Sequence, residues 1–399
     1  MRRVSWASAL LLVFTASMPA HAQLLTEDRF LEDAMANHPD IAAAESAVAA
    51  AGGARRQAGI IDNPELSWER EDPDSAPRQD TWLLGWRLPF DGRHHRMAAA
   101  DAGIAAMDSD LEATRLGVRL ELRSLFAVWH IAEERESVFE ANLDRTRRLA
   151  GWLRARAEEG EAAGVEARRL ELEVESMERA TVSARADARA ARAAAAVWSP
   201  RATMDVRPAG PPLAPPPAVA EVGGRPDVMV LTHRVTESEA RHALRKRVAE
   251  PPTLSLGWTD ISDGRRSFAG PVFGVAWPLP VFDRNQGRRE AASAEVTRAQ
   301  FNLVAATRRA QQEANGALAS YSELYELALR GPLAVEEGVV EAVFAAFEAG
   351  EATLTDVLDT WRATVDVQMA RLETMARALS AERELEAALG RPIGAGEES

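Results

Sequence analysis

Two aspartates three residues apart, in the run Leu354-Thr355-Asp356-Val357-Leu358-Asp359, have types and spacing that suggest chemistry. On a helix that spacing sets both carboxylates on one face. Gathered into a ring, such acids would attract cations, repel anions and raise one another's proton affinity by like-charge crowding. The structural alternative is that they are first-turn acids favoured by the positive end of a helix. His94 and His95 are the second candidate, because imidazole binds transition metals. Adjacent helical residues point in different directions, however, which favours a solvated interfacial pair. Cysteine is absent, excluding disulfides, thiolate metal sites, cysteine nucleophiles and a lipidated N-terminal Cys. Nucleophile elbows, phosphate loops and zinc spacings do not occur. The expectation is a protein that is not an enzyme, with no cofactor and no resident metal.

A net charge of -14, with 27 % charged and 46 % hydrophobic residues, suits a large folded chain and argues against nucleic acid as a partner. Arg2 and Arg3 precede an apolar run, Ala7 to Ala16, and Ala20-His21-Ala22 then offers small residues at cleavage spacing. Residues 1–22 therefore read as a secretory signal peptide. No later segment has eighteen consecutive apolar residues, so any membrane crossing must use strands.

The elements that would position the aspartates come in two similar sets. His38-Pro39-Asp40 interrupts an Ala- and Glu-rich helical stretch over 26–56, with Asp40 expected to start its second piece. A hairpin follows at about 63–90, with Leu66 and Trp68 on one strand face and Trp82, Leu84, Trp86 and Leu88 on the next. Long helices are expected over 94–197, with a seam at Val118, Leu122, Leu125, Trp129 and Leu143. Seven prolines between Trp198 and Gly224 predict an extended linker at 199–224.

The pattern then repeats. Arg225-Pro226-Asp227 echoes His38-Pro39-Asp40, and Leu254-Ser255-Leu256-Gly257-Trp258 echoes Leu66-Ser67-Trp68. A second hairpin is expected at about 251–280, with Phe273, Val275, Trp277 and Leu279 on one face. Long helices follow over 288–389, the first running unbroken to Phe347, and a tail over 391–399. The offset between halves stays at about 190 residues, the mark of duplication. The repeats are thus 23–198 and 225–390. Each offers two strands of about ten residues, long enough to cross an outer membrane as tilted barrel strands. Trp68, Trp82, Trp86, Trp258 and Trp277 fall in these hairpins, as membrane-interface aromatics would. A soluble sheet with core tryptophans is the competing reading. Four strands cannot close a barrel, and edge groups left in lipid cost several kcal/mol each, so several copies must combine strands around a pore.

The motif Ala349–Trp361, AGEATLTDVLDTW, together with the duplicated hairpin-and-long-helix plan, resembles the TolC-type outer-membrane efflux family over essentially the whole mature chain. The run Pro278–Gly287, PLPVFDRNQG, resembles the branch that partners heavy-metal pumps of the resistance-nodulation-division type. The resemblance implies a mainly α protomer whose four β-strands join a trimeric 12-stranded barrel, above long coiled-coil helices that form a periplasmic α-barrel. It implies a homotrimer in the outer membrane lipid of a Gram-negative bacterium, working with a periplasmic adaptor and an inner-membrane pump. The function implied is an exit duct for small solutes, heavy-metal cations in the first place. A duct for a multidrug pump or a type I secretion system, and a periplasmic coiled-coil adaptor, are the alternatives. By the same resemblance, Asp356 and Asp359 ring the narrow periplasmic end as a pore gate. The family's gate also uses a Tyr and an Arg, where this chain has Phe347 and Ala352. The first-repeat positions matching the two aspartates are Glu166 and Arg169, and Arg169 is expected to supply the missing cation.

Overall fold

The computed structural model describes residues 23–74, 76–89, 92–159, 164–203, 205–246, 251–330 and 335–393. The expected signal peptide, the Gly160-Glu161 joint and the end of the tail lie outside the described residues. The first half runs β1 (Gln23–Leu25), α1 (Glu27–Ala36), α2 (Pro39–Ala58), β2 (Glu65–Glu71), β3 (Arg78–Arg87), α3 (Arg93–Glu158), α4 (Gly164–Ala196) and β4 (Val206–Pro208). The second runs α5 (Pro226–Arg245), β5 (Thr253–Ser262), β6 (Ser267–Ala276), α6 (Gln286–Ala328), α7 (Val335–Glu348) and α8 (Leu354–Leu389).

Corresponding elements share their physical causes. Helices α2 and α5 are each 20 residues long, and each opens on a proline where no intrahelical N–H bond is lost. At α2 the cap is His38, whose Nδ1 accepts from the Asp40 N–H at 3.3 Å, rather than the expected Asp40. Helix α3 holds 66 residues, roughly 99 Å at ~1.5 Å per residue.

Two expectations are corrected. The helix expected from 288 to Phe347 is two helices, α6 and α7. Pro332 brings no N–H and Gly331 is a poor helix former, so periodicity read across them overran a break. The 199–224 segment is not wholly free linker either. Its β4 pairs in parallel with β1, Leu24 beside Arg207.

The main sheet is antiparallel in the order β2-β3-β5-β6. Register sets Trp68, Trp82, Trp258 and Pro271 in one row across it, with Leu66, Leu84, Leu256 and Phe273 in the next of that face. Residues two apart share a face, so Trp86, Leu254 and Val275 extend the same surface. The opposite face is mixed: it carries Glu65, Ser67, Glu69, Thr81, Ser255 and Thr259 together with Leu83, Ile261, Phe268 and Val272. Strand β6 begins at Ser267, six residues before the expected Phe273, and passes through Pro271. It is an edge strand of this sheet, where a residue without an N–H can sit. Trp277 lies just beyond its end. At Gly257 a Cβ would come within 2.0 Å of the Trp82 carbonyl oxygen, so the row of tryptophans depends on glycine beside it.

The chain forms two compact units, Met1–Asp33 with Leu125–Pro211, and Ala34–Ser124 with Pro212–Ser399. In the first, Phe30, Phe126 and Trp129 stack with ring centroids 5.4 and 5.9 Å apart. There α3 and α4 run antiparallel, bound by ion pairs at heptad steps. These are Glu133 with Arg192, Glu140 with Arg185, Arg147 with Glu178, and Arg154 with Glu171. The acid is on α3 in the first two and on α4 in the last two. A slip of one heptad would set Arg147 against Arg185, so the ladder fixes register as well as attraction. In the second unit α5, α6 and α8 enclose Val228, Ala310, Ala314, Tyr321, Leu385 and Leu389.

Two predictions follow from this packing. A double-mutant cycle on Arg147→Glu and Glu178→Arg, read by urea unfolding, should give a favourable coupling of about 0.2–1 kcal/mol, the range of exposed pairs. Gly257→Ala should lower the thermal midpoint of the purified protein, whereas Gly316→Ala, with open space around it, should not.

Candidate pore gate and membrane face

Helix α7 ends at Gly350, whose φ of +77° an L side chain rarely adopts. The Gly350 N–H donates to the Phe347 carbonyl at 3.1 Å and the Glu351 N–H to that of Ala346 at 2.8 Å, a Schellman closure. Helix α8 starts three residues later on a capping box. The Asp356 N–H donates to Thr353 Oγ1 at 3.3 Å, and the Thr353 N–H returns a bond to Asp356 Oδ2 at 2.8 Å. Residues 349–353 therefore form a short turn between two helices in which every backbone N–H donates a hydrogen bond.

The two candidate acids are unequal within it. The Asp356 carboxylate is folded back on its own cap, and the bonds from the Thr353 hydroxyl and N–H hold it below the usual carboxylate range. Crowding does not raise its proton affinity within the single chain. Asp359 is exposed, with Arg362 at 3.8 Å. The first-turn role is thus observed for Asp356, and Asp359 is the freer charge. Arg169 is exposed near the start of α4, in the other compact unit.

Farther along α8 lies a set of buried charges that no sequence pattern had marked. Arg123 of α3 donates to Glu382 Oε2 at 3.1 Å and pairs with Glu386. The Ala214 N–H donates to Glu382 Oε1 at 2.8 Å and the Ile393 N–H to Glu386 Oε1 at 2.9 Å. The Tyr321 hydroxyl donates to the Ala214 carbonyl, and Arg383 Nη2 to the Arg123 carbonyl at 3.0 Å. Burial pushes Glu382 up despite the Ala214 N–H and Arg123, and burial with Glu382 beside it pushes the Tyr321 phenol up. Two arginines and two glutamates here hold α3, α8, Ala214 and Ile393 together. Glu382, Arg383 and Glu386 recur at one- to four-residue steps among apolar residues, the one signal that could have revealed them.

On the sheet, Trp68, Trp82, Trp86 and Trp258 are about half exposed, and Trp277 beyond β6 likewise. The five tryptophans thus lie on an outer surface rather than in a core, opposite to the soluble-sheet reading. The His94 and His95 rings meet edge to face at 5.5 Å. Among the described residues no group of three or more His, Asp or Glu could hold a metal. No helix among them is long and apolar enough to cross a membrane.

Residues 30–196 match the model of the outer membrane efflux protein family. The cobalt-zinc-cadmium resistance protein CzcC of Cupriavidus metallidurans is 28 % identical over 388 residues, covering 92 % of this chain and 90 % of that one. Among solved structures, the open state of the Neisseria gonorrhoeae MtrE outer membrane channel aligns with a TM-score of 0.73 at 17 % identity, over 92 % of this chain and 89 % of that one. The outer membrane protein VceC of Vibrio cholerae aligns with a TM-score of 0.70 at 17 % identity, over 92 % and 96 %.

Lowered acidity at Asp356 has a definite sign. Its stabilisation of the α8 start is full above the unfolded value of 3.8 and is lost as pH falls through the lower folded value. Amide-exchange protection at residues 354–357, corrected for intrinsic rates, should fall on acidification below about pH 4, and Asp356→Asn should flatten that dependence. Arg123→Met should cost about 3–5 kcal/mol in urea unfolding, because Glu382 and Glu386 would lose their buried counter-ion.

Proposed function

From an outer-membrane efflux channel of TolC-like fold, with its helical part in the periplasm, we propose a homotrimeric exit duct through which solutes pass without chemical change. The family model matched over residues 30–196 and the fold shared with solved outer membrane channels support this reading. The observation that carries the reading is the open four-stranded sheet, with a row of tryptophans and apolar neighbours on one face, a mixed opposite face, and β2 and β6 at its unpaired edges. In hydrocarbon such edges cannot stay open. Joining β6 of one copy to β2 of the next pairs both, and three copies supply the twelve strands of a closed barrel around water.

In this reading the duct is the outer part of a tripartite system that also needs a periplasmic adaptor and an inner-membrane pump. The cargo we assign is heavy-metal cations, on the likeness to CzcC and the acids at the α7–α8 turn. Asp359, with Asp356 behind it, forms the cation-selecting constriction: repeated around a threefold axis, the carboxylates lower the energy of a cation and raise that of an anion. A periplasmic adaptor would have no use for an exposed tryptophan-rich sheet face.

Planar-bilayer recording tests the gate. The Asp356→Ala/Asp359→Ala variant should lose cation preference in its reversal potential and conduct more in the resting state. Unchanged selectivity removes the carboxylates from the account. In the same recordings, Arg169→Ala should raise resting leak if that cation belongs to the gate, and an unchanged leak excludes it.

A further inference from the structure

The apolar face of the sheet is too short for the membrane it crosses. On β5 it runs from Trp258 to Leu254, about 14 Å along a strand at ~3.4 Å per residue. Outward of the tryptophan row it ends at once, because the next row of that face holds Arg70, Asp80 and Asp260. There Arg70 Nε lies 2.7 Å from Asp80, and Arg78 Nη2 2.9 Å. Even with Trp277 added at the other end, a strand tilted by about 40° spans roughly 16 Å, against the ~25 Å apolar band of outer-membrane barrels.

The surface continues only toward the helices. Beyond β6 the chain runs Trp277-Pro278-Leu279-Pro280-Val281-Phe282. Leu279 and Val281 are exposed, and Phe282 is 92 % exposed, the most open large apolar side chain among the described residues. This is an ordered presentation. Two prolines restrict the backbone, and the Val281 N–H donates to the Leu279 carbonyl at 2.9 Å. The turn that follows is tied down: the Asn285 N–H donates to Asp283 Oδ1 at 2.8 Å, Arg288 Nη2 to Asp283 Oδ2 at 2.6 Å, and Asn285 Nδ2 to the Arg245 carbonyl at 2.8 Å. Apolar residues to 282 and charged ones from 283 reproduce the sequence of environments from acyl chain to headgroup.

We infer that Leu279, Val281 and Phe282 form a wedge that inserts into the periplasmic leaflet of the outer membrane and lengthens each protomer's lipid-facing surface. The occupant is lipid rather than a second copy, because the wedge continues the lipid-facing series Phe273, Val275 and Trp277 without a polar interruption. The inference rests on the outer-membrane placement of the sheet, and the test separates the two.

The chain has no cysteine, so single substitutions on the full mature protein take one nitroxide label each. Leu256→Cys reports the sheet face, Phe282→Cys the wedge and Arg265→Cys the β5–β6 turn. Collision with oxygen and with a water-soluble nickel chelate is measured after reconstitution into phospholipid vesicles. For labels at 256 and 282 oxygen should exceed the chelate, and at 265 the order should reverse. Label 256 in lipid with 282 open to the chelate overturns the wedge alone, whereas both open to the chelate overturns the membrane reading as well. A label at 282 closed to both reagents assigns the surface to a neighbouring copy and overturns the lipid wedge. Phe282→Trp provides a second, fold-preserving readout: its added fluorescence should be quenched by bromine on the lipid chains, and no gain in quenching opposes the inference.

Discussion

Backbone amides and carbonyls cannot be left bare in hydrocarbon, and the organisation of this chain turns on that constraint. The sheet satisfies it internally along three seams, through the register that runs Trp68-Trp82-Trp258-Pro271, and leaves it unmet at β2 and β6. The proposed assembly would join those edges, since a strand from another copy would pair them without new sequence, Pro271 alone having no N–H to donate. The same constraint explains why one face gathers the tryptophans and their apolar neighbours. One face must suit lipid and the other water, and a one-residue slip would exchange them.

The long helices face a different problem, which is to hold register over many turns with few large side chains. Alanine at 184, 188, 191 and 195 lets backbones approach closely but offers little that distinguishes one heptad from the next. The ion-pair ladder between α3 and α4 supplies that distinction through its reversal of sign. Each rung contributes little, yet the wrong register places like charges together. In the second unit the corresponding task falls to the buried Arg123, Glu382 and Glu386 network. Being out of water, that network is costly to break and specific in what it holds: the backbone at Ala214 and Ile393. At the α7–α8 turn, the Schellman closure and the capping box bond the backbone N–H groups. The turn can therefore present Asp359 outward while Asp356 serves the helix.

Much of this was legible in the sequence because it depends on local chemistry. Proline at the starts of α2 and α5, the alternation of the hairpins, the Gly350 stop and the duplication all follow from residue types at fixed spacing. Local reading failed where a remote partner decides. Pro271 looks like a loop residue until its strand is seen to be an edge. The β1–β4 pair joins segments far apart in the chain, so neither half of it has a local signature.

Alone, the sequence determined the elements, their order and their repetition, because turns, caps and amphipathic faces answer to neighbours within a few residues. It also brought Asp356 and Asp359 to one helix start. Only the tertiary structure decided which carboxylates are buried against Arg123, and how far the apolar face of the sheet extends. Those outcomes depend on hydrogen-bond direction, burial and cross-strand register, which arise when distant segments meet and which no spacing along the chain encodes.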